Sequence, residues 1–191
     1  MHKARYWESA ETAVRCNLCP HFCLISPGRT GRCRVRLNVA WELFSHNFGV
    51  VNSIALDPIE KKPLYHFFPG QMILSVGTWG CNLHCQFCQN WEIAHGDPAF
   101  AAISPEKLAE LAEEQGPLNI GVAFTYSEPV VWFEYVCDAA AAVKKRGLKN
   151  VLVTNGFINP EPLAELLPLI DAMNIDVKAF RAPFYQDICA G

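Results

Sequence analysis

The order of hydrophobic and polar positions predicts strands and helices that alternate through the second part of the chain. Short apolar runs predict buried strands at residues 72–76, 120–124, 151–153 and 172–177. Between them, apolar residues recur at helical spacing within residues 104–116, 130–146 and from 159 onward. Repeated strand–helix units predict an α/β fold with a parallel sheet and helices packed outside it.

The residues at the predicted helix ends support this division. Ser104 precedes Pro105 and Glu106, the order expected for a helix N-cap, its first residue and an acid in its first turn. Basic residues followed by Gly147 are typical of a helix C-terminus. In α/β folds the chemistry gathers at the carboxyl ends of the strands, so the loops that follow the strands are the places to search for a site.

Composition indicates one globular unit with a small appendage. The chain has 191 residues, of which 51% are hydrophobic and 18% charged, and its formal net charge is -3. This charge balance offers no basic face, so we expect no nucleic-acid partner. We also expect no membrane span, since no run of about 18 apolar residues occurs. The first residues lack the apolar core of a signal peptide, which predicts a cytoplasmic protein.

Nine cysteines in such a chain favour metal binding over disulfides. Four lie near the start, at Cys16, Cys19, Cys23 and Cys33, among prolines and glycines that break long elements. We therefore predict a small cysteine-rich segment of loops and strands at residues 1–70, ahead of a main domain at 71–191. A segment with so small a hydrophobic core needs a cross-link to be stable. These thiols are therefore predicted to hold either a second Fe–S cluster or a Zn ion.

The rest of the N-terminal segment is predicted from weaker patterns. Loose alternation over residues 39–56 predicts a hairpin around residues 46–49. Three prolines within residues 57–70 exclude a regular helix there and predict a rigid, aromatic connector into the first strand of the main domain.

The strongest chemical signal is a second group of cysteines just after the strand predicted at 72–76. Cys81, Cys85 and Cys88 have the spacing C-x3-C-x2-C on one loop. Three thiolates can hold three irons of a cubic [4Fe-4S] cluster, which leaves the fourth iron open to a small molecule. A zinc site completed by His84 or His95 is the alternative.

This loop resembles the signature of the radical S-adenosylmethionine (radical SAM) superfamily. The resemblance implies that the amino and carboxylate groups of S-adenosylmethionine chelate the open iron of a [4Fe-4S] cluster. It also implies that reduction then gives methionine and a 5′-deoxyadenosyl radical, which abstracts hydrogen from a substrate. Phe87 matches the aromatic residue that the family places before its third cysteine, near the adenine.

Further cofactor-binding residues are implied at three later strand ends, namely Ser127, Glu128, Thr154, Asn155, Asp176 and Lys178. Glu128-Pro129 resembles the end of the family's Gly-Gly-Glu-Pro run, in which the acid meets the S-adenosylmethionine amino group. Tyr126 and Ser127 depart from that run, since they replace its glycines. The alternatives are a helix cap at Glu128 and a structural ion pair between Asp176 and Lys178.

The N-terminal cysteines, the connector at residues 57–70 and the Cys-Gln-Asn-Trp-Glu-Ile run at 88–93 resemble one subfamily over nearly the whole chain. It is the radical SAM enzyme of the AmmeMemoRadiSam system, a relative of pyruvate formate-lyase activating enzymes. This implies a partial (β/α) barrel, of which about four βα units are visible, so we expect the chain to be truncated at its C-terminus. It also implies a reducing electron donor such as flavodoxin or ferredoxin, and a protein substrate if the chain is a glycyl-radical activating enzyme. A non-enzymatic Zn or Fe–S binding module is the alternative of another class.

Overall fold

A computed structural model describes residues 1–191. The strands are β1 (His2–Lys3), β2 (Trp7–Ala10), β3 (Ala13–Cys16), β4 (Leu24–Ile25), β5 (Arg36–Val39), β6 (Glu42–Ser45), β7 (Val50–Val51), β8 (Ser53–Pro58), β9 (Met72–Gly77), β10 (Ala101–Ala102), β11 (Asn119–Phe124), β12 (Lys149–Thr154) and β13 (Ala172–Ile175). The α-helices are α1 (Trp91–His95), α2 (Pro105–Glu114), α3 (Phe133–Lys145), α4 (Pro160–Leu166) and α5 (Ala182–Ile188). Short 3-10 turns occupy Ile59–Lys61, Pro129–Trp132 and Leu167–Leu169.

A five-stranded sheet with the order β13-β12-β11-β9-β8 organises the molecule. The pairs β9–β11, β11–β12 and β12–β13 are parallel, which confirms the predicted α/β class and its parallel sheet. The edge strand β8 pairs with β9 in the antiparallel sense. Because the four parallel strands point the same way, the loops that follow them meet at one edge of the sheet.

Local sequence explains why α2 begins and ends where it does. The hydroxyl of Ser104 accepts a hydrogen bond from the backbone N–H of Lys107 at 3.2 Å, and Pro105 occupies the first turn. Gly116 follows the helix with a φ of 84°, in the left-handed region that glycine adopts without strain. The predicted cap and first turn of this helix are therefore confirmed.

The predicted hairpin over residues 39–56 is wrong. Strand β6 pairs with β5 through a tight turn in which Ala40 and Trp41 have φ angles of 49° and 72°. The later part of the segment forms β8, which pairs with β9 and extends the central sheet. The apolar pattern located strand-forming residues in both halves, but these two halves do not pair with each other.

One hydrophobic core joins the N-terminal strands to the central sheet. Leu74 of β9 and Phe124 of β11 belong to the same buried cluster as Val14 of β3, Ile25 of β4 and Leu43 of β6. The small sheets β2-β3-β4 and β1-β6-β5 therefore pack onto the main body. This packing places the N-terminal cysteines close to the loops that follow the parallel strands.

Candidate active site

A cavity of about 390 Å³ lies at the carboxyl edge of the central sheet. Its volume is within the range of sites that bind small organic molecules. Every residue predicted from the radical SAM resemblance lines it, namely Cys81, Cys85, Phe87, Cys88, Ser127, Glu128, Thr154, Asn155, Asp176 and Lys178. The structure thus brings together residues from the loops after β9, β11, β12 and β13.

The cysteine loop begins at a glycine that no other residue can replace without strain. Gly80 has a φ of 95°, and a Cβ atom there would lie 2.8 Å from the carbonyl oxygen of Cys33 and 2.6 Å from Val35. The loop can therefore rest directly on the N-terminal segment. Cys81 then receives hydrogen bonds at its sulfur from the backbone N–H of Leu83 at 3.4 Å and from the Asn155 amide at 3.8 Å.

All nine cysteines are free thiols. Burial raises the pKa of Cys81 well above its usual range, and the nearby Glu128 carboxylate raises it further. Burial raises the pKa of Cys85 to about 12, and a hydrogen bond with Cys189 contributes to the shift. Cys189, for which the sequence suggested no role, is therefore a neighbour of a predicted cluster ligand. Cluster binding at these thiols must release protons, because only thiolates ligate metals.

Glu128 is buried at the centre of the cavity wall and accepts three hydrogen bonds. Its Oε1 accepts from the Thr154 hydroxyl at 2.6 Å and from the Val130 backbone N–H at 3.0 Å. Its Oε2 accepts from the Asn155 backbone N–H at 2.8 Å. Burial raises the pKa of Glu128, although these hydrogen bonds act in the opposite direction. The bond from Val130 shows that the acid also caps the turn that follows it.

Tyr126 adopts a backbone conformation that a glycine at its position would have favoured. Tyr126 has a φ of 70°, in the left-handed region that disfavours most side chains. Three hydrogen bonds hold this loop: the Asn90 amide donates to the Tyr126 carbonyl at 2.7 Å, the Tyr126 hydroxyl donates to Asp57 at 2.7 Å, and the Ser127 hydroxyl donates to the Thr78 carbonyl.

Asp176 and Lys178 form an ion pair at the cavity wall. Burial lowers the pKa of Lys178, but the hydrogen bond and charge of Asp176, together with the charges of Cys85 and Cys81, outweigh burial, so the pKa of Lys178 is raised overall. The ammonium group therefore stays charged beside the thiols of the cysteine loop. The ion-pair alternative is thus present in the structure, and both side chains nevertheless face the cavity.

The sequence prediction missed several polar side chains around the cavity. Asn82 bridges two loops, because its Oδ1 accepts from the Asn155 amide at 2.9 Å and its own amide donates to the Phe157 carbonyl at 2.7 Å. His95, which the sequence offered as a possible zinc ligand, was not missed: it lines the cavity, and its Nδ1 is buried without a partner. Asn82 and Asn90 both lie inside or next to the cysteine loop, which was the signal that could have identified them.

The four N-terminal cysteines also meet, at a separate cavity of about 10 Å³. Cys16, Cys19, Cys23 and Cys33 all line it, together with Asn82 from the cysteine loop. In neither cavity are three or more Cys, His, Asp or Glu side chains already arranged to hold a metal ion.

Comparison with known proteins assigns the family. The family model of the Radical SAM superfamily matches residues 76–191, so the chain belongs to this superfamily. Membership implies a [4Fe-4S] cluster and S-adenosylmethionine as cofactors. The cavity fits both, because it holds three thiols of one loop, a buried carboxylate and the unpartnered His95 nitrogen.

None of the helices is long and apolar enough to cross a membrane.

Two of the relatives are named as different enzymes, and a third is uncharacterised. An uncharacterised protein of Methanocaldococcus jannaschii is 40% identical over 193 residues, which cover 99% of this chain and 56% of that protein. The pyruvate formate-lyase 1-activating enzyme of Escherichia coli is 26% identical over 114 residues, covering 57% of this chain and 46% of the enzyme. The 7-carboxy-7-deazaguanine synthase of Thermococcus kodakarensis is 24% identical over 136 residues, covering 62% and 53%. The chain spans about half the length of these curated relatives.

Proposed function

We propose that this chain carries the cofactor-binding part of an enzyme that cleaves S-adenosylmethionine reductively and passes the radical to a substrate. The observation that carries the proposal is that three cysteines of one loop share a cavity with Glu128, Asn155 and Asp176, which come from three other strand ends. The parallel strands β9, β11, β12 and β13 would then be part of a partial (β/α) barrel, with residues 1–70 as its cysteine-rich appendage.

Cys81, Cys85 and Cys88 would hold the cluster through three irons. When bound, the cluster supplies the electron that splits the sulfonium of S-adenosylmethionine into methionine and a 5′-deoxyadenosyl radical. The Asn155 amide already donates to the sulfur of Cys81 at 3.8 Å, and such a donor offsets negative charge on a ligating thiolate. Phe87 is half exposed at the cavity and is available to contact the adenine.

Glu128 and the Asp176–Lys178 pair would orient the amino acid part of the cofactor. An ammonium group beside Glu128 would favour its ionised form, which opposes the effect of burial on its pKa. Lys178 stays charged through its pairing with Asp176 and can meet a carboxylate. Ser127 and Thr154 hold the loops around Glu128 through their hydroxyl groups.

Anaerobic reconstitution with iron and sulfide tests this proposal. We expect about four irons at the cysteine loop and an electron paramagnetic resonance (EPR) signal of the reduced cluster that changes when S-adenosylmethionine is added. Cys81→Ala, Cys85→Ala and Cys88→Ala should each lose that signal and the release of methionine. Cys137→Ala is the matched control, because Cys137 lies buried in α3 away from both cavities.

Two kinds of result would contradict the proposal. Reductive cleavage that survives in all three alanine variants would exclude this mechanism. A chain that takes up zinc alone, or a cluster whose signal ignores S-adenosylmethionine, would instead support a non-enzymatic metal-binding module.

A narrower second candidate is a glycyl-radical activating enzyme. It is supported by the similarity to the pyruvate formate-lyase 1-activating enzyme, whose alignment covers 57% of this chain. The substrate would then be a partner protein, and a donor such as flavodoxin or ferredoxin would supply the electron. A glycyl radical signal on a candidate partner, dependent on this protein and S-adenosylmethionine, is the expected result. Its absence while the cofactor is still cleaved would leave the broader proposal in place and reject this one.

A further inference from the structure

The cavity between the N-terminal cysteines is a separate site that the proposed reaction does not use. Cys16 ends β3, Cys23 directly precedes β4, and Cys33 lies in the turn before β5, while Cys19 lies between the first two. Three different stretches of chain thus bring four thiols to the wall of one cavity. A convergence of this kind has no explanation in core packing alone, because Cys19 and Cys23 are only half-buried.

A buried cation with unused donors faces the same cavity. Arg36 is 1% exposed and lines the cavity, and its Nη1 donates to Glu134 at 2.8 Å. Its Nε and Nη2 atoms are buried without any partner. Unmade hydrogen bonds of a buried charged group are costly, and an anionic metal–thiolate group beside Arg36 would accept them.

The spacing of the cysteines favours a single zinc ion. Two residues separate Cys16 from Cys19 and three separate Cys19 from Cys23, which is within the spacing typical of structural zinc sites. Four thiolates at about 2.3 Å complete the tetrahedron of such a site.

We propose that Cys16, Cys19, Cys23 and Cys33 bind one Zn²⁺ as a structural tetrathiolate site, with Arg36 as its buried counter-charge. The thiols must draw together on binding, because they line one cavity without yet forming a group placed to hold an ion. Each thiol loses its proton, so Zn²⁺ and four thiols give a site of charge 2− and four released protons.

The zinc site is placed to hold the loops of the active site. The Asn159 amide donates to the Asn17 carbonyl at 2.8 Å, and its backbone N–H donates to the Leu18 carbonyl at 3.0 Å. The His21 ring forms a hydrogen bond of 2.7 Å with the carbonyl of Asn82, which follows the cluster ligand Cys81. Zinc would thus fix the chain between Cys16 and His21, and that stretch would fix both neighbouring loops.

Metal analysis of purified protein tests the proposal directly. We expect one zinc per chain in the wild type and its loss in Cys19→Ser and Cys23→Ser, which replace the two less buried cysteines. Cys88→Ala should keep zinc while losing iron after reconstitution, and Cys137→Ala should keep both. Cys23→His should retain zinc, because imidazole also ligates zinc in a tetrahedral site.

A second measurement applies even if the serine variants do not fold. Co²⁺ added to metal-free wild-type protein should give the absorption bands of tetrahedral thiolate coordination and release protons, and one equivalent of Zn²⁺ should displace it. Zinc that persists in both serine variants would overturn the proposal. So would a zinc-free protein whose iron approaches about eight per chain, because the four thiols would then hold a second cluster.

Discussion

Glu128 is the single residue on which the proposed site depends most. Its two oxygens accept hydrogen bonds from Thr154, Val130 and Asn155, so it joins the loops after β11 and β12. It is also buried, at 2% exposure, on the wall of the main cavity. A carboxylate with its oxygens fixed in this way is a preorganised partner for an ammonium group.

Glu128→Gln tests both roles of this residue. The new amide would direct N–H groups at the Thr154 hydroxyl or at a backbone N–H, so at least one buried donor loses its acceptor. We expect a loss of about 1–3 kcal/mol in the free energy of unfolding. We also expect S-adenosylmethionine to bind at least about tenfold more weakly, since a charged hydrogen bond is lost. Denaturant unfolding and calorimetric titration of the reconstituted protein measure these two quantities.

Glu92→Gln is the control, because Glu92 is exposed on α1. A Glu128→Gln variant that binds the cofactor as tightly as the wild type would limit Glu128 to its structural role. The affinity for S-adenosylmethionine separates a binding role from a purely structural role, because the loss of stability is expected in both.

Residues whose side chains carry a metal-binding or charged group were predictable from sequence. Residues that matter only through hydrogen bonds to distant parts of the chain were not. The thiols, Glu128 and Lys178 carry groups that suggest a role wherever they lie. Asn82 acts only because folding places its amide against Asn155 and Phe157, 73 and 75 residues away along the chain. The unpartnered nitrogen of His95 likewise depends on burial, which no local pattern shows.

Elements were predictable where their signals are local. The strands β9, β11, β12 and β13 followed from short apolar runs, and α2 from its cap. Strand pairing depends instead on distant partners, so the hairpin predicted around residues 46–49 was wrong. The position of β8 at the sheet edge was also not predictable, because Ile54 and Leu56 are exposed while the charged Asp57 is buried.

Asp57 anchors β8 to the rim of the active site. It accepts hydrogen bonds from Lys61 and Lys62 at 2.8 Å and from the Tyr126 hydroxyl at 2.7 Å. Burial alone would raise its pKa, but these donors outweigh burial and hold the pKa of Asp57 far below its usual value. The left-handed backbone of Tyr126 is therefore maintained from the edge strand of the sheet.

Asp57→Asn should destabilise the fold and change its response to acid. Lys62 is almost fully buried and would lose its counter-charge, so we expect a loss of about 3–5 kcal/mol at pH 7. Because the folded pKa of Asp57 is lowered, its contribution is complete above the unfolded value of about 3.9 and is lost as pH falls below it. The wild type should therefore lose more stability than the variant between pH 5 and pH 2.

Denaturant unfolding across this pH range measures both effects. Asp97→Asn, at an exposed position in the loop after α1, is the control and should leave the curve unchanged. Parallel pH curves for the wild type and Asp57→Asn would show that the lysines do not stabilise the ionised form of Asp57.

At the scale of the whole molecule, a buried ion pair joins the N-terminal segment to the body of the central sheet, in addition to their common hydrophobic core. The guanidinium of Arg36 and the carboxylate of Glu134 in α3 pair at 2.8 Å, and each side chain is 1% exposed. The same carboxylate accepts the backbone N–H of Arg5 at 2.8 Å. Two points of the N-terminal segment are therefore fixed to one buried acid of the helix that covers the central sheet.

Glu134→Gln should consequently weaken the whole molecule in one step. The change leaves the Arg36 charge buried without its partner, which costs about 3–5 kcal/mol and lowers the melting temperature by roughly 10 °C in a chain of this size. Calorimetry should show a single transition for wild type and variant, and amide hydrogen exchange should accelerate together in β3 and β12. Glu161→Gln, exposed on α4, is the control. If β3 exchanged faster while β12 stayed protected, the N-terminal segment would unfold separately, and the shared core would not make the two parts cooperative.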